Sequence, residues 1–187
     1  MKRIFQSEQQ RDAELALLKC TPCPHCKHIG AMNRHGYLRG YDEQHFKHKA
    51  VRAVRVFCSN RGNAAGCGRT FSLWVATKVK RLFLDTKPLW QFLRLAVTTG
   101  NKFKAFASLE SCMSHSAVYR IWKRFTQKQS VIRTKLAAIR PPPQMQAEGP
   151  ATNPLLATLE HLRAVTGSAG QDDPIAALQV LTQSFFL

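Results

Sequence analysis

The residues best suited to chemistry are Cys23-Pro24-His25-Cys26 and, after 31 intervening residues, Cys58 with the run Cys67-Gly68-Arg69-Thr70-Phe71. Four thiolates suit tetrahedral zinc, and a coordination sphere filled by four cysteines leaves no open position for a substrate. The expectation is therefore a structural Zn2+ on Cys23, Cys26, Cys58 and Cys67, contributing folding free energy that a small lobe cannot draw from its own core. The first pair has the usual two-residue spacing, with a proline to hold the turn. The second pair is separated by eight residues, Ser-Asn-Arg-Gly-Asn-Ala-Ala-Gly, polar and glycine-rich enough to loop out and return Cys67 to the ion. Cys20 is also separated from Cys23 by two residues and competes for the first pair. His45 and His48, or His28 and His35, can replace a cysteine. Beside four complete thiolates they read as solvated or phosphate-contacting side chains. Cys112 reads as a small core residue.

A second constellation runs from Ala107 to Arg120 and has the layout of a helix-turn-helix. A short helix is followed by a turn, and Ser114 can N-cap the next helix. Val118, Ile121, Trp122 and Phe125, at helical spacing, make its buried stripe. His115, Ser116, Tyr119, Arg120, Lys123 and Arg124 then face outward with Ser114, where they can reach base edges and phosphates if the helix enters a major groove. Arg52, Arg55, Arg61 and Arg69, around the second cysteine pair, are expected on phosphates.

These groups need a scaffold of two kinds. Residues 7–19 suit a short amphipathic helix. In 20–80, glycines punctuate short strands, with Val51, Val54, Val56 and Phe57 before Cys58 and Phe71, Leu73 and Val75 after Cys67. From Thr86, which can cap a helix ending at Gly100, the hydrophobic period becomes helical. Further helices are expected over 102–111, from Ser114, and over 129–139. Pro141-Pro142-Pro143 ends helix and opens a linker over 141–154. Amphipathic helices follow at about 154–166 and 174–186, the second opened by Asp173-Pro174. Leu155, Leu156, Leu159, Leu162 and Val165 form one apolar stripe; Ile175, Leu178, Leu181 and Phe185 form another. They can cover the protein's own core as a hairpin, self-associate or meet a protein partner. The fold class expected is α+β: a zinc-ribbon β lobe, a helix-turn-helix domain over 84–140, and a C-terminal helical hairpin over 155–187, preceded by an N-terminal helix within 1–19.

The 187-residue chain carries 28 Lys plus Arg against 11 Asp plus Glu, a net charge of +17. Residues 1–140 hold 27 of the basic and 7 of the acidic side chains, net +20, whereas 141–187 are net −3. Such an imbalance points to a polyanion, and with the features above to double-stranded DNA. No run approaches the ~20 apolar residues of a membrane span, and the N-terminus lacks a secretory signal. The expected setting is cytoplasmic, bacterial and nucleoid-associated, with reduced thiols and no membrane.

Cys-Pro-x-Cys, the His35-Gly36 and Arg39-Gly40 stretch, Val-Arg-Val-Phe-Cys and Gly-Cys-Gly-Arg-Thr-Phe-Ser, with a helix-turn-helix downstream, resemble the N-terminal DNA-binding half of bacterial insertion-sequence transposases that carry a zinc ribbon. The likeness covers roughly residues 20–127. Those enzymes continue into an RNase H-like domain whose three carboxylates hold two metal ions. Here 60 residues follow Gln127, with four acids and no carboxylate cluster for two-metal chemistry. The resemblance thus implies target recognition without catalysis. The expected role is a DNA-binding accessory of a mobile genetic element or recombination system, not an enzyme. A transcription regulator using the same helix at a promoter is the alternative.

Overall fold

In the computed structural model, residues 2–41, 47–109, 114–143, 153–167 and 172–187 are described. They form a mixed α+β structure with one four-stranded sheet and seven helices. The sheet comprises β1 (Lys2–Phe5), β2 (Met32–Tyr41), β3 (Lys49–Cys58) and β4 (Thr70–Val75), in the spatial order β1-β4-β3-β2. β2, β3 and β4 are antiparallel neighbours. β1 lies parallel to β4, with Ile4 opposite Trp74. The strands expected on either side of the second cysteine pair are present. β1 was not anticipated: Lys-Arg-Ile-Phe is too short to show alternation, and it is a strand because β4 offers it a partner.

Alternation along β3 and β4 sends side chains to two faces. Val54, Val56 and Cys58 join Phe71, Leu73, Met32, Cys23 and Leu18 in one buried cluster. Ala53 and Trp74 point the other way, into a cluster with Ile4, Ala76 and Phe185. α1 (Glu8–Ala16) begins at Ser7, whose hydroxyl accepts from Gln10 N, and packs against β4 and β1.

The helical part holds α2 (Thr86–Thr99), α3 (Lys102–Ala107), α4 (His115–Gln127), α5 (Gln129–Ile139), α6 (Pro154–Thr166) and α7 (Pro174–Thr182). Gly100 takes the left-handed conformation (φ 68°) that ends α2, as expected. Asp85, not Thr86, is the N-cap of α2. Thr86 is wholly buried in the first turn, donating its hydroxyl to Asp173 on the approach to α7.

α6 and α7 belong to the main core. Leu159, Leu162, Ile175, Leu178, Phe186 and Leu187 are buried with Leu89, Phe92, Leu93, Ile121 and Phe125. The C-terminal helices thus cover the protein's own core, one of the three roles expected for them. The stripe assigned to the last helix is corrected at Leu181, which is 58% exposed. Steps of three residues drift by about 60° around a helix, carrying Leu181 off the face that buries Ile175. α7 also ends at Thr182 rather than near 186. Gln183 turns left-handed (φ 48°), and the reversed chain drives Phe185 edge-on against Trp74 at 4.8 Å between centroids. Cys112, His45 and most of the 141–154 linker lie outside the described residues.

Sheet and helices are fastened by polar side chains. Arg52, on β3, is 6% exposed, and its guanidinium donates to Leu82 O (2.8 Å), Phe83 O (2.9 Å) and Asp85 Oδ1 (3.3 Å). Gln179 of α7 donates to Ala76 O at 2.6 Å and accepts from Phe186 N at 3.1 Å. Gln183 exchanges both hydrogen bonds with the backbone of Ile4, at 2.9 Å each, as a neighbouring strand would. Unpaired, the buried Arg52 and Gln179 side chains would each carry a burial penalty.

Candidate metal centre and basic surface

Two turns bring the cysteines together. Lys27 N donates to Cys23 O at 2.9 Å, and Cys23 N donates to His28 O at 2.9 Å. The second pair repeats this pattern: Gly68 N donates to Cys58 O and Cys58 N to Arg69 O, both at 2.9 Å. Lys27 and Gly68, each following the second cysteine of its pair, both take left-handed backbone, at φ 64° and 69°. The eight-residue spacing thereby resolves. Gly66 N donates to Ser59 O at 2.8 Å, so residues 60–65 loop out and Ser59 and Gly66 act as the two residues between the cysteines.

Gly66 is required there. A Cβ at this position would lie 2.1 Å from Ser59 O and 2.6 Å from Cys58 Sγ.

The sulfurs of Cys23, Cys26, Cys58 and Cys67 all lie within 4.8 Å of one another. Cys23 Sγ is 3.9 Å from Cys67 Sγ, and Cys26 Sγ is 3.8 Å from Cys58 Sγ. Disulfides are far shorter, near ~2.05 Å. A tetrahedron of thiolates at ~2.3 Å from a central ion has edges of about 3.8 Å. The cluster can therefore hold a metal ion. Cys23 and Cys58 are buried, Cys67 is half-buried and Cys26 is exposed. Cys20 is exposed and outside the cluster, and no described histidine joins it.

Backbone donors favour thiolate at this site. His25 N points at Cys23 Sγ and Cys67 N at Cys58 Sγ, both at 3.4 Å. Burial opposes ionisation of Cys23, but the N–H groups of Cys26 and His25 outweigh it and lower its pKa to about 7. Burial dominates at Cys58, and with neighbouring sulfurs it pushes that thiol up to about 12. A cation at the centre would stabilise all four thiolates together.

The residues expected to meet nucleic acid divide. On α4, Val118, Ile121 and Phe125 are buried, while Ser114, His115, Ser116, Tyr119, Arg120 and Lys123 are exposed and Arg124 is half-buried. Ser114 stands at the N-cap with extended backbone, but its hydroxyl meets Ser116 Oγ at 2.8 Å rather than a backbone N–H. Arg61 and Arg69 are exposed beside the cysteine cluster, and Arg55 is half-buried on the sheet opposite Ser72. Arg52 is a correction. Its guanidinium is buried and bonded to two carbonyls and Asp85, so it is directed into the junction of sheet and helices rather than toward a phosphate in solvent.

α3 adds a surface that the sequence reasoning missed. Asn101 caps it by accepting from Phe103 N and Lys104 N. Phe103 is 45% exposed, with its ring 5.6 Å from that of His115, and Lys102 Nζ lies 5.3 Å from the Tyr119 ring. Lys-Phe-Lys directly after a capping asparagine was the available signal. α3 and the first half of α4 thus share one basic and aromatic face.

No protein-family model, curated protein or solved structure matches this chain. No helix among the described residues is long and apolar enough to cross a membrane.

Proposed function

We propose that this protein binds double-stranded DNA through α3 and α4, acting as a helix-turn-helix, with a structural zinc in a ribbon formed by the four cysteines. The observation that carries the reading is the division of α4. Its buried stripe fixes the helix to the core, while His115, Ser116, Tyr119, Arg120 and Lys123 remain exposed on a body of net charge +20. Arginine and serine suit base edges, and lysine suits phosphates. Zinc is the ion that four thiolates at these separations suit best. A sphere complete with four cysteines would orient the loop carrying Arg61 and Arg69 and perform no reaction. The resemblance to transposase N-terminal regions supports an accessory role in a mobile-element or recombination system.

Gel shifts of the zinc-loaded protein on random-sequence duplex in rising salt test the reading. Counterion release demands a steep fall in affinity with salt; weak binding that does not change with salt would refute it. After enrichment of a preferred site, Arg120→Ala should weaken that site more than random duplex, whereas Arg69→Ala should weaken both alike. Metal analysis checks the ion at one zinc per chain.

A further inference from the structure

Phe103 and Trp122 border one cleft. With Gly100, Asn101 and Lys102 they line a space of about 280 Å³ where the end of α2, the start of α3 and the middle of α4 meet. Pockets for drug-sized ligands begin near ~300 Å³, so this one has room for a single flat ring system. Its aromatic sides differ in freedom. Trp122 is half-buried and packs on the core, edge-on to Phe92 at 6.4 Å and beside Phe125 at 6.1 Å between centroids. Phe103 is exposed, and its ring meets that of His115, also exposed. Lys102 Nζ lies 5.3 Å from the Phe103 ring and 5.3 Å from the ring of Tyr119, which is 53% exposed. Among the described residues no ion pair engages Lys102. The end of α3 contributes no amide to an anion here, because Phe103 N and Lys104 N both donate to Asn101 Oδ1. The cleft is built of rings and one ammonium group.

We propose that this cleft seats an unpaired base of the bound DNA, stacked on Phe103 beside Trp122, with the neighbouring phosphate on Lys102. A nucleotide matches the cleft on both counts: its base offers a π face to the aromatic rings, and its phosphate offers a charge to the ammonium group. The seat is joined by contact to the helix that reads the duplex, Phe103 touching His115 and Lys102 lying against Tyr119. A strand following the outward face of α4 would therefore pass its mouth. Magnitudes decide which bases can enter. Pulling a paired base out of the stack costs at least as much as one base–aromatic contact returns, whereas a base in a bulge, mismatch or strand end costs least. The seat thus favours DNA in which a base is already free, and it directs the protein to distorted or open sites. The choice of DNA rests on the duplex-binding reading of α3 and α4; the affinity of the cleft for a base does not.

The test compares, at one salt concentration, binding to an intact 30-base-pair duplex and to the same duplex carrying one extrahelical thymidine. Wild type should favour the bulged duplex by about fivefold to more than a hundredfold, the worth of one base–aromatic stack. Phe103→Leu keeps apolar bulk but removes the ring face, and should bring that ratio toward one; the exposure of Phe103 makes the change tolerable to the fold. A second measurement needs no variant. With 5-iodouracil as the extra base, photo-cross-links located by mass spectrometry should fall on Phe103 or Trp122. Equal affinity of wild type for the two duplexes, or a preference unchanged in Phe103→Leu with cross-links elsewhere, would overturn the seat, while salt-dependent binding of the intact duplex would leave the DNA reading standing. Cross-linking of iodouracil-bearing single strands at Phe103 or Trp122, with no binding of either duplex, would keep the seat and overturn the duplex reading.

Discussion

Gly66→Ala isolates the geometry of the cysteine cluster. The backbone at Gly66 is not left-handed, so alanine meets no conformational penalty; the difficulty is space. The new methyl would lie 2.1 Å from Ser59 O and 2.6 Å from Cys58 Sγ, where ordinary contacts begin near 3.4 Å. Reaching that separation requires a movement of about 1.3 Å at Ser59 O, in the backbone that closes the loop, and about 0.8 Å at the Cys58 sulfur of the cluster. Metal–ligand distances tolerate only about 0.2 Å, and sulfur separations of 3.8 and 3.9 Å would leave little slack around an ion held there. Overpacking of this kind costs about 1–3 kcal/mol, equivalent to a loss of roughly fivefold to more than a hundredfold in zinc affinity. Competition with a chromophoric chelator measures it. Gly62→Ala in the same loop is the control: its φ of 61° strains alanine, but nothing lies within 4 Å. It should lower stability modestly while leaving zinc affinity near wild type. Wild-type zinc affinity and stoichiometry in Gly66→Ala would refute the reading of the loop as a closed turn pressed against Cys58.

Three other outcomes are expected. Arg52→Met should cost about 3 kcal/mol by orphaning two buried carbonyls and weakening the hold on Asp85, lowering the melting temperature by roughly 6–12 °C; the salt slope of DNA binding should not change, and a fall of about 0.9 would return Arg52 to the phosphate contacts. With zinc bound, a thiol reagent should modify exposed Cys20 first and reach Cys23, Cys26, Cys58 and Cys67 only after chelation, as mass mapping would show; early modification of Cys58 or Cys67 would contradict a four-thiolate site. Burial raises the pKa of Asp173 against the hydrogen bonds from Thr86 and Ala176, so the folded protein retains this proton longer than the unfolded chain. That contribution is fully present below the ordinary value of 3.8 and is lost as pH rises through the folded pKa. Stability of wild type relative to Asp173→Asn, followed by melting temperature, should therefore fall with rising pH in the acid range; the opposite slope would show that the hydrogen bonds outweigh burial.

Much of the architecture was legible because it is local. Valines alternating before Cys58, a helical stripe from Val118 to Phe125, and glycine after the α2 pattern are signals within a few residues. The mixed α+β class and most helix positions follow from them. The metal cluster was legible for a related reason: cysteines are few, and paired spacing implies a turn. What stayed hidden was non-local. β1 has no strand signature without β4, and Lys102 and Phe103 join the α4 surface only through the packing of α3. Residues 155–187 read equally as a partner-binding tail until Ile175, Leu178 and Phe186 are seen in the core.

The opposite fates of Arg52 and Arg69 define this division. Both are arginines near the second cysteine pair, Arg52 within β3 and Arg69 just before β4, and sequence assigns them one role. Tertiary structure turns Arg52 inward, because carbonyls freed between β4 and α2 need donors and Asp85 needs a cation, and leaves Arg69 in solvent. The sequence by itself offered four cysteines as an ion site, with Cys20 as a rival ligand; the tertiary structure closed the second pair through Gly66 and brought the two turns together. Only the tertiary structure decided which basic residues face outward and which become internal fastenings. Charge has no direction along a chain; burial and the hydrogen-bonding needs of neighbouring backbone impose one.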